Sequence, residues 1–176
     1  ASRSFDLICF DVDGTLVRHP SGKVIWEILN RRFTGDDAVN AERHRWYDEG
    51  KITYPQWVEL DVQGWIHAGA TRNEIVDAVR EFEHFEGAHR TLFELKRRGA
   101  RLAVISGTLD IVTHTLFPEH PFDDIYSNRL LFDDSGVLTG CQATPFDLEG
   151  KPVALRELSK KHAVSLSRAG FVGDGA

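Results

Sequence analysis

An apolar run that breaks into two carboxylates and a glycine constrains this chain more than any other feature. Leu7-Ile8-Cys9-Phe10, preceded by Phe5, reads as a short buried strand. The chain then delivers Asp11 and Asp13, two positions apart, into a turn at Gly14. In an open parallel sheet, ligands bind just beyond the carboxyl ends of the strands, and both carboxylates belong there. An isolated carboxylate is costly to take out of water, so two at one strand end point to a cation or to proton transfer. A calcium loop begun at Asp11 would need glycine at its sixth position and glutamate at its twelfth. Here the glycine comes fourth and the twelfth residue is Gly22, which excludes that loop. An ordinary Asp-Gly turn is the remaining plain alternative, and the rest of the chain weighs against it.

After Val17 the pattern turns helical and stays so to about residue 84. Ile25, Ile28 and Leu29 predict a helix over 23–33, and the polar residues 36–49 a weaker one. Thr53, with Pro55 in the first turn, caps a helix carrying Val58, Val62, Trp65 and Ile66. Thr71 and Glu74 form a capping-box pair ahead of Ile75, Val79 and Phe82. All four tryptophans (Trp26, Trp46, Trp57, Trp65) fall in this segment. Packing between helices is their first reading, with a substrate-facing role for one of them as the lesser alternative.

From residue 85 helices and strands alternate. A helix over 88–98 closes at Gly99, and the strand Leu102-Ala103-Val104-Ile105 ends at Ser106-Gly107-Thr108. A helix over 109–117 follows, then a strand from Asp124 to Asn128 and a polar excursion turning at Asp134-Ser135-Gly136. Lys151-Pro152 opens another helix, and Ala169-Gly170-Phe171-Val172 is a last strand running into Gly173-Asp174-Gly175. This order implies right-handed crossovers and an α/β fold with a Rossmann-like parallel sheet covered on both faces. The first strand is followed by Asp-Val-Asp and not by Gly-x-Gly, so a dinucleotide-binding loop is unsupported.

Three strands therefore end in polar, glycine-containing turns on one edge of the sheet. Ser106-Gly107-Thr108, read as the start of a helix, offers amide donors and a hydroxyl to an anion. Lys151 sits at a helix start, where a cation is unfavourable unless a dianion compensates. Lys160 and Lys161 lie toward the other end of that helix, where cations are expected anyway. Asp174 adds a further carboxylate for a hard cation such as Mg²⁺. A cation, anion-binding donors, a lysine and paired carboxylates suit phosphoryl transfer, with one Asp attacking phosphorus and the other moving protons.

With these residues in place, the chain resembles the haloacid dehalogenase superfamily. Asp11-Val-Asp-Gly-Thr-Leu-Val, Val-Ile-Ser106-Gly-Thr, Lys151 and Val-Gly-Asp174-Gly-Ala are similar to its four motifs, in order. Gly50-Lys51-Ile52-Thr53-Tyr54, Ser127-Asn128-Arg129-Leu130 and Gly136-Val137-Leu138-Thr139-Gly140 resemble its phosphoserine-phosphatase-type branch. The resemblance implies a Mg²⁺-dependent phosphomonoester hydrolase in which Asp11 forms an aspartyl-phosphate. It implies that Asp13 is the general acid/base with its carbonyl on Mg²⁺, and that Thr15 positions Asp13 beside the phosphoryl group. By the same resemblance Ser106, Gly107 and Lys151 hold that group, and Asp11, Asp13 and Asp174 form the metal shell. Residues 1–17 and 85–176 would be the core, and 18–84 a helical cap closing over the site.

The match departs in two places. The family pattern continues past Gly-Asp-Gly-x with Asn-Asp, whereas the sequence ends at Ala176, so a C-terminal part of the core is expected beyond it. The residues that would read a phosphoserine substrate also differ. Pro20 stands where the branch has an acidic residue for the amino group, and Asp61 where it has an arginine for the carboxylate. A carboxylate there repels a carboxylate, and Glu27, Arg45 and Asp61 become the specificity candidates. A small phosphomonoester with a cationic or neutral head, phosphocholine-like or a sugar phosphate, is therefore an alternative to phosphoserine. A weakly catalytic, phosphate-binding regulatory module is the non-enzyme reading.

Composition enters mainly by what it excludes. A net charge of -6 over 176 residues argues against a nucleic-acid or anionic-membrane surface. No apolar run is long enough to span a bilayer and no signal-peptide pattern occurs. The two cysteines, Cys9 and Cys141, read as reduced thiols of a cytoplasmic protein. None of the eight histidines forms a ligand-spaced pair, so a histidine-built metal site is not expected. Dehalogenation needs no metal, and Asp13 with Asp174 disfavours it. The expected partner is a small-molecule phosphomonoester.

Overall fold

The computed structural model describes residues 5–146 and 150–173. Its sheet follows from strands that bury both faces. Along β1 (Leu7–Phe10), Leu7 and Cys9 pack on one side, while Ile8 and Phe10 pack on the other. In β4 (Arg101–Leu109), Ala103 and Ile105 join the first group and Leu102 and Val104 the second. Such two-sided burial is what a parallel sheet with helices on both faces requires. The order is β6-β5-β4-β1-β7, with β5 (Asp124–Phe132), β4, β1 and β7 (Ala169–Val172) parallel. The edge strand β6 (Leu138–Gln142) runs antiparallel to β5. The polar excursion of the sequence is thus a hairpin, tightened at Gly136, whose φ of 84° suits glycine. Ala154 and Leu158 of α7 (Lys151–Lys161) cover one face. The other face carries the larger core, to which Leu92 of α5 (Ala88–Arg97) and Val112 of α6 (Asp110–Leu116) contribute.

Four helices are inserted between two very short strands, β2 (Val17–Arg18) and β3 (Glu83–His84), which pair antiparallel. The chain therefore leaves and re-enters the sheet region side by side. The helices are α1 (Ile25–Thr34), α2 (Ala38–Asp48), α3 (Tyr54–His67) and α4 (Arg72–Val79). Reciprocal capping starts two of them. Thr53 Oγ1 accepts from Gln56 N while Gln56 Oε1 accepts from Thr53 N, and Thr71 and Glu74 repeat the pattern. Trp65, fully buried, donates from Nε1 to Asn30 Oδ1 at 2.8 Å and locks α3 to α1. The insertion is also tied to the hairpin: Arg72 N donates to Gly136 O, and Leu138 N to Ala70 O. No helix among the described residues is long and apolar enough to cross a membrane.

The helix predicted from residue 109 begins at Asp110, and Ser106-Gly107-Thr108 is not its free N-terminus. These residues continue β4 to Leu109, through a register shift against β5 between Ile105 and Leu109. Any anion contact they make comes from a strand end and its side chains.

Candidate active site

The site forms where β1, an inner strand between β4 and β7, stops. Asp11 N donates to Val172 O at 2.9 Å, which carries the ladder with β7 one residue beyond β1. The chain then turns sharply, with Thr15, Leu16 and Val17 amides all directed to Val12 O and Gly14 at φ 81°. This turn sets the Asp11 and Asp13 side chains at the sheet edge, where both line one cavity. β4, the neighbour of β1, brings in Ser106, Gly107 and Thr108, and the first residue of α7 brings in Lys151.

These residues, far apart in sequence, meet on the Asp11 carboxylate. Ser106 Oγ donates to Asp11 Oδ1 at 2.7 Å and accepts from Thr108 N at 3.1 Å, which fixes the direction of its hydroxyl proton. Lys151 Nζ donates to Asp11 Oδ2 at 3.3 Å and lies over the Phe171 ring, 5.4 Å from its centroid. Asp13 Oδ2 accepts from Ile25 N at 3.3 Å, at the start of α1, and from Thr108 Oγ1 at 3.4 Å. Its Oδ1 is buried with no hydrogen-bond partner among the described residues. Burial pushes the Asp13 carboxyl up to about 7, and the Asp11 charge pushes the same way against the two hydrogen bonds. The two acids thus have separate environments: Asp11 is gripped by donors, while Asp13 holds a proton near neutral pH.

The other expected residues divide. Thr15 Oγ1 is buried and makes no hydrogen bond, to Asp13 or to any other described residue. The Gly107 carbonyl accepts from Trp26 Nε1 at 2.7 Å and Asn128 Nδ2 at 2.9 Å, so these two side chains hold the strand end in place. Asp61 lines the cavity and is fully buried, bonded to Arg43 of α2. Desolvation raises its carboxyl despite the opposing pull of Arg43 and the nearby Asn30 amide. Glu27 accepts from Val24 N at 3.2 Å and serves the start of α1. Arg45 is exposed, and neither it nor Glu27 lines the cavity. Asp174 lies outside the described residues.

The cavity, about 510 Å³, runs from the two acids to walls supplied by the inserted helices, among them Trp26, Asn40, His44, Tyr54 and Trp57. In the sequence Asn128 stands out only as part of a branch-like stretch, and Asn40 and Arg43 not at all. Asn128 and Arg43 act through partners distant in sequence, and Asn40 sits on a helix without a buried residue to give it a face.

With this geometry established, the comparisons with known proteins become specific. Residues 8–176 match the model of haloacid dehalogenase-like hydrolases. The chain belongs to that family. A haloacid dehalogenase-like relative from Mycobacterium tuberculosis, phosphoserine phosphatase SerB2, is 34% identical over 177 residues, covering 100% of this chain and 41% of the relative. A phosphoserine phosphatase of Methanocaldococcus jannaschii is 30% identical over 177 residues, covering 97% of this chain and 77% of the relative. The chain therefore spans less than half the length of the first of these and about three quarters of the second. Among solved haloacid dehalogenase-like folds, a substrate-bound phosphoserine phosphatase complex superposes with a TM-score of 0.74 at 29% identity, over 99% of this chain and 80% of that one. A phospho-aspartyl intermediate analogue of phosphoserine phosphatase gives 0.73 at 30% identity, over 98% and 79%.

Proposed function

We propose that this chain is a phosphoserine-phosphatase-like hydrolase of small phosphomonoesters, working through an aspartyl-phosphate on Asp11. The observation that carries the proposal is the grip on one carboxylate by a hydroxyl and an ammonium, 2.7 and 3.3 Å away, beside a second carboxyl that is protonated near neutrality. Ser106 and Lys151 are donors of the kind a phosphoryl group needs, and a bound phosphoryl group would share them with Asp11. An Asp11 oxygen attacks phosphorus, the bond from phosphorus to the ester oxygen breaks, and protonated Asp13 gives its proton to the departing alkoxide. Asp13, now a carboxylate, takes a proton from water. The resulting hydroxide attacks phosphorus, releasing inorganic phosphate and restoring Asp11.

The Asp11 carboxylate and the Asp13 backbone carbonyl, on residues that line the cavity, are hard oxygen donors that suit Mg²⁺, with Asp174 the further ligand the family resemblance implies. Among the described residues alone, no three acidic, His or Cys side chains gather closely enough to hold an ion. Mg²⁺ would neutralise charge spreading over the phosphoryl oxygens. The division into a core of residues 1–17 and 85–176 and a cap of 18–84 belongs to the same proposal. The adjacent β2 and β3 crossings, and a cavity walled by both parts, support it. Two free cysteines suit a cytoplasmic setting. Release of phosphate from an aryl phosphate in Mg²⁺ tests the proposal: activity should need the metal and disappear in Asp11→Asn. Undiminished activity in that variant would overturn it.

A further inference from the structure

The side of the cavity that the inserted helices supply has a chemistry of its own. Trp26, Tyr54 and Trp57 line it, and their positions are fixed from outside. Trp26 Nε1 is committed to Gly107 O, and Tyr54 Oη accepts from Asn128 Nδ2 at 2.8 Å. Trp57 is flanked by the rings of His44 and Tyr47, at 5.4 and 5.7 Å between centroids. The walls thus offer aromatic surface while two of their polar handles face protein groups.

The unpartnered polar atoms of the described residues on this side are acceptors. Asp61 Oδ2 and Asn40 Oδ1 have no hydrogen-bond partner among the described residues, and both residues line the cavity. Among the described residues, the basic side chains lining it are Lys151, engaged by Asp11, and His44, which lies 3.8 Å from the Asp48 carboxylate. The Arg43 guanidinium is bound to Asp61 and lines none of the cavity. A substrate carboxylate would meet no uncommitted cation here, and a sugar would find few partners for its hydroxyls. A methylated ammonium needs none, because ring faces attract it electrostatically and its methyl groups pack on them.

Resting on the phosphatase reading above, we infer that the organic end of the substrate is a methylated ammonium of the choline type, seated against Trp26, Tyr54 and Trp57. Phosphate release from phosphocholine is compared with that from phosphoserine and from the neutral isostere of phosphocholine, in which a tert-butyl group replaces trimethylammonium. Phosphocholine should exceed each in kcat/KM by about tenfold or more. Trp57→Leu should raise KM for phosphocholine severalfold more than it raises KM for the isostere, because only the cation loses the electrostatic attraction of the ring face. A preference for phosphoserine, or equal use of the isostere, would overturn the inference while leaving the phosphatase reading intact. An aryl phosphate included in the panel tests that reading separately. Should nothing be hydrolysed, tryptophan fluorescence of the Asp11→Asn chain still decides, because phosphocholine must bind at least tenfold more tightly than either competitor.

Discussion

At the scale of single residues, Asp13 ties protonation to folding and, in the proposed mechanism, to turnover. Its carboxyl moves from an ordinary 3.8 to about 7 in the folded chain, so between those values the folded state binds more protons than the unfolded one. Stability from this group is present at low pH and is lost as pH rises through that window, by a few kcal/mol at about 1.4 per unit. Urea melts without divalent cations should show Asp13→Asn gaining on the parent chain as pH rises from 3.8 to about 7, with the parent the more pH-sensitive of the two. The same proton predicts that kcat/KM falls with rising pH as the acid empties. The Arg43–Asp61 pair makes a different demand. Truncating Arg43 to Met strands a buried carboxylate and should cost on the order of 3 kcal/mol, whereas adding Asp61→Leu should restore most of it. Equal losses in the single and double variants would show that the pair is not coupled. Asp61 was legible as an anomaly in the sequence, but its partner was not. The two lie 18 positions apart on different helices, and no local pattern joins them.

Elements were legible to the degree that their burial was two-sided or their ends were capped. The strands β1, β4 and β7 announced themselves as apolar runs, and Thr53 and Thr71 marked the starts of α3 and α4. β6 did not, because only its first residue is buried and Thr139 and Gln142 are polar. The extension of β4 through Ser106-Gly107-Thr108 was hidden for another reason: polar residues ending a strand look the same as those capping a helix. What keeps this extension in place is Asn128 of β5, which donates to Gly107 O and Tyr54 Oη and accepts from Thr144 N at 2.9 Å. One buried amide thereby links two strands, a helix of the insertion and the segment after the hairpin. Asn128→Ala should destabilise the chain by about 1–3 kcal/mol through the unpaired Thr144 amide. It should also lower kcat, since Gly107 loses a support. A chain that melts normally and turns over normally would show the link to be incidental.

For the molecule as a whole, the sheet order decides the chemistry. With β4 and β7 on either side of β1, and α7 starting at the same edge, residues separated by 95 and 140 positions reach one carboxylate. The inserted helices supply the rest of the cavity and are tethered to the hairpin as well as to β2 and β3. Their contribution was the least legible in the sequence, because it depends on tertiary placement of rings and amides. The central claim is that the phosphoryl group is transferred to Asp11 before water receives it. Acid-quenching the chain during turnover of a phosphomonoester, followed by peptide mass analysis, addresses it most directly. A phosphoryl mass increment on the peptide carrying Asp11, chased away when substrate is exhausted and missing in Asp11→Asn, is the predicted result. Steady phosphate release with the increment on another residue, or persisting in Asp11→Asn, would contradict it.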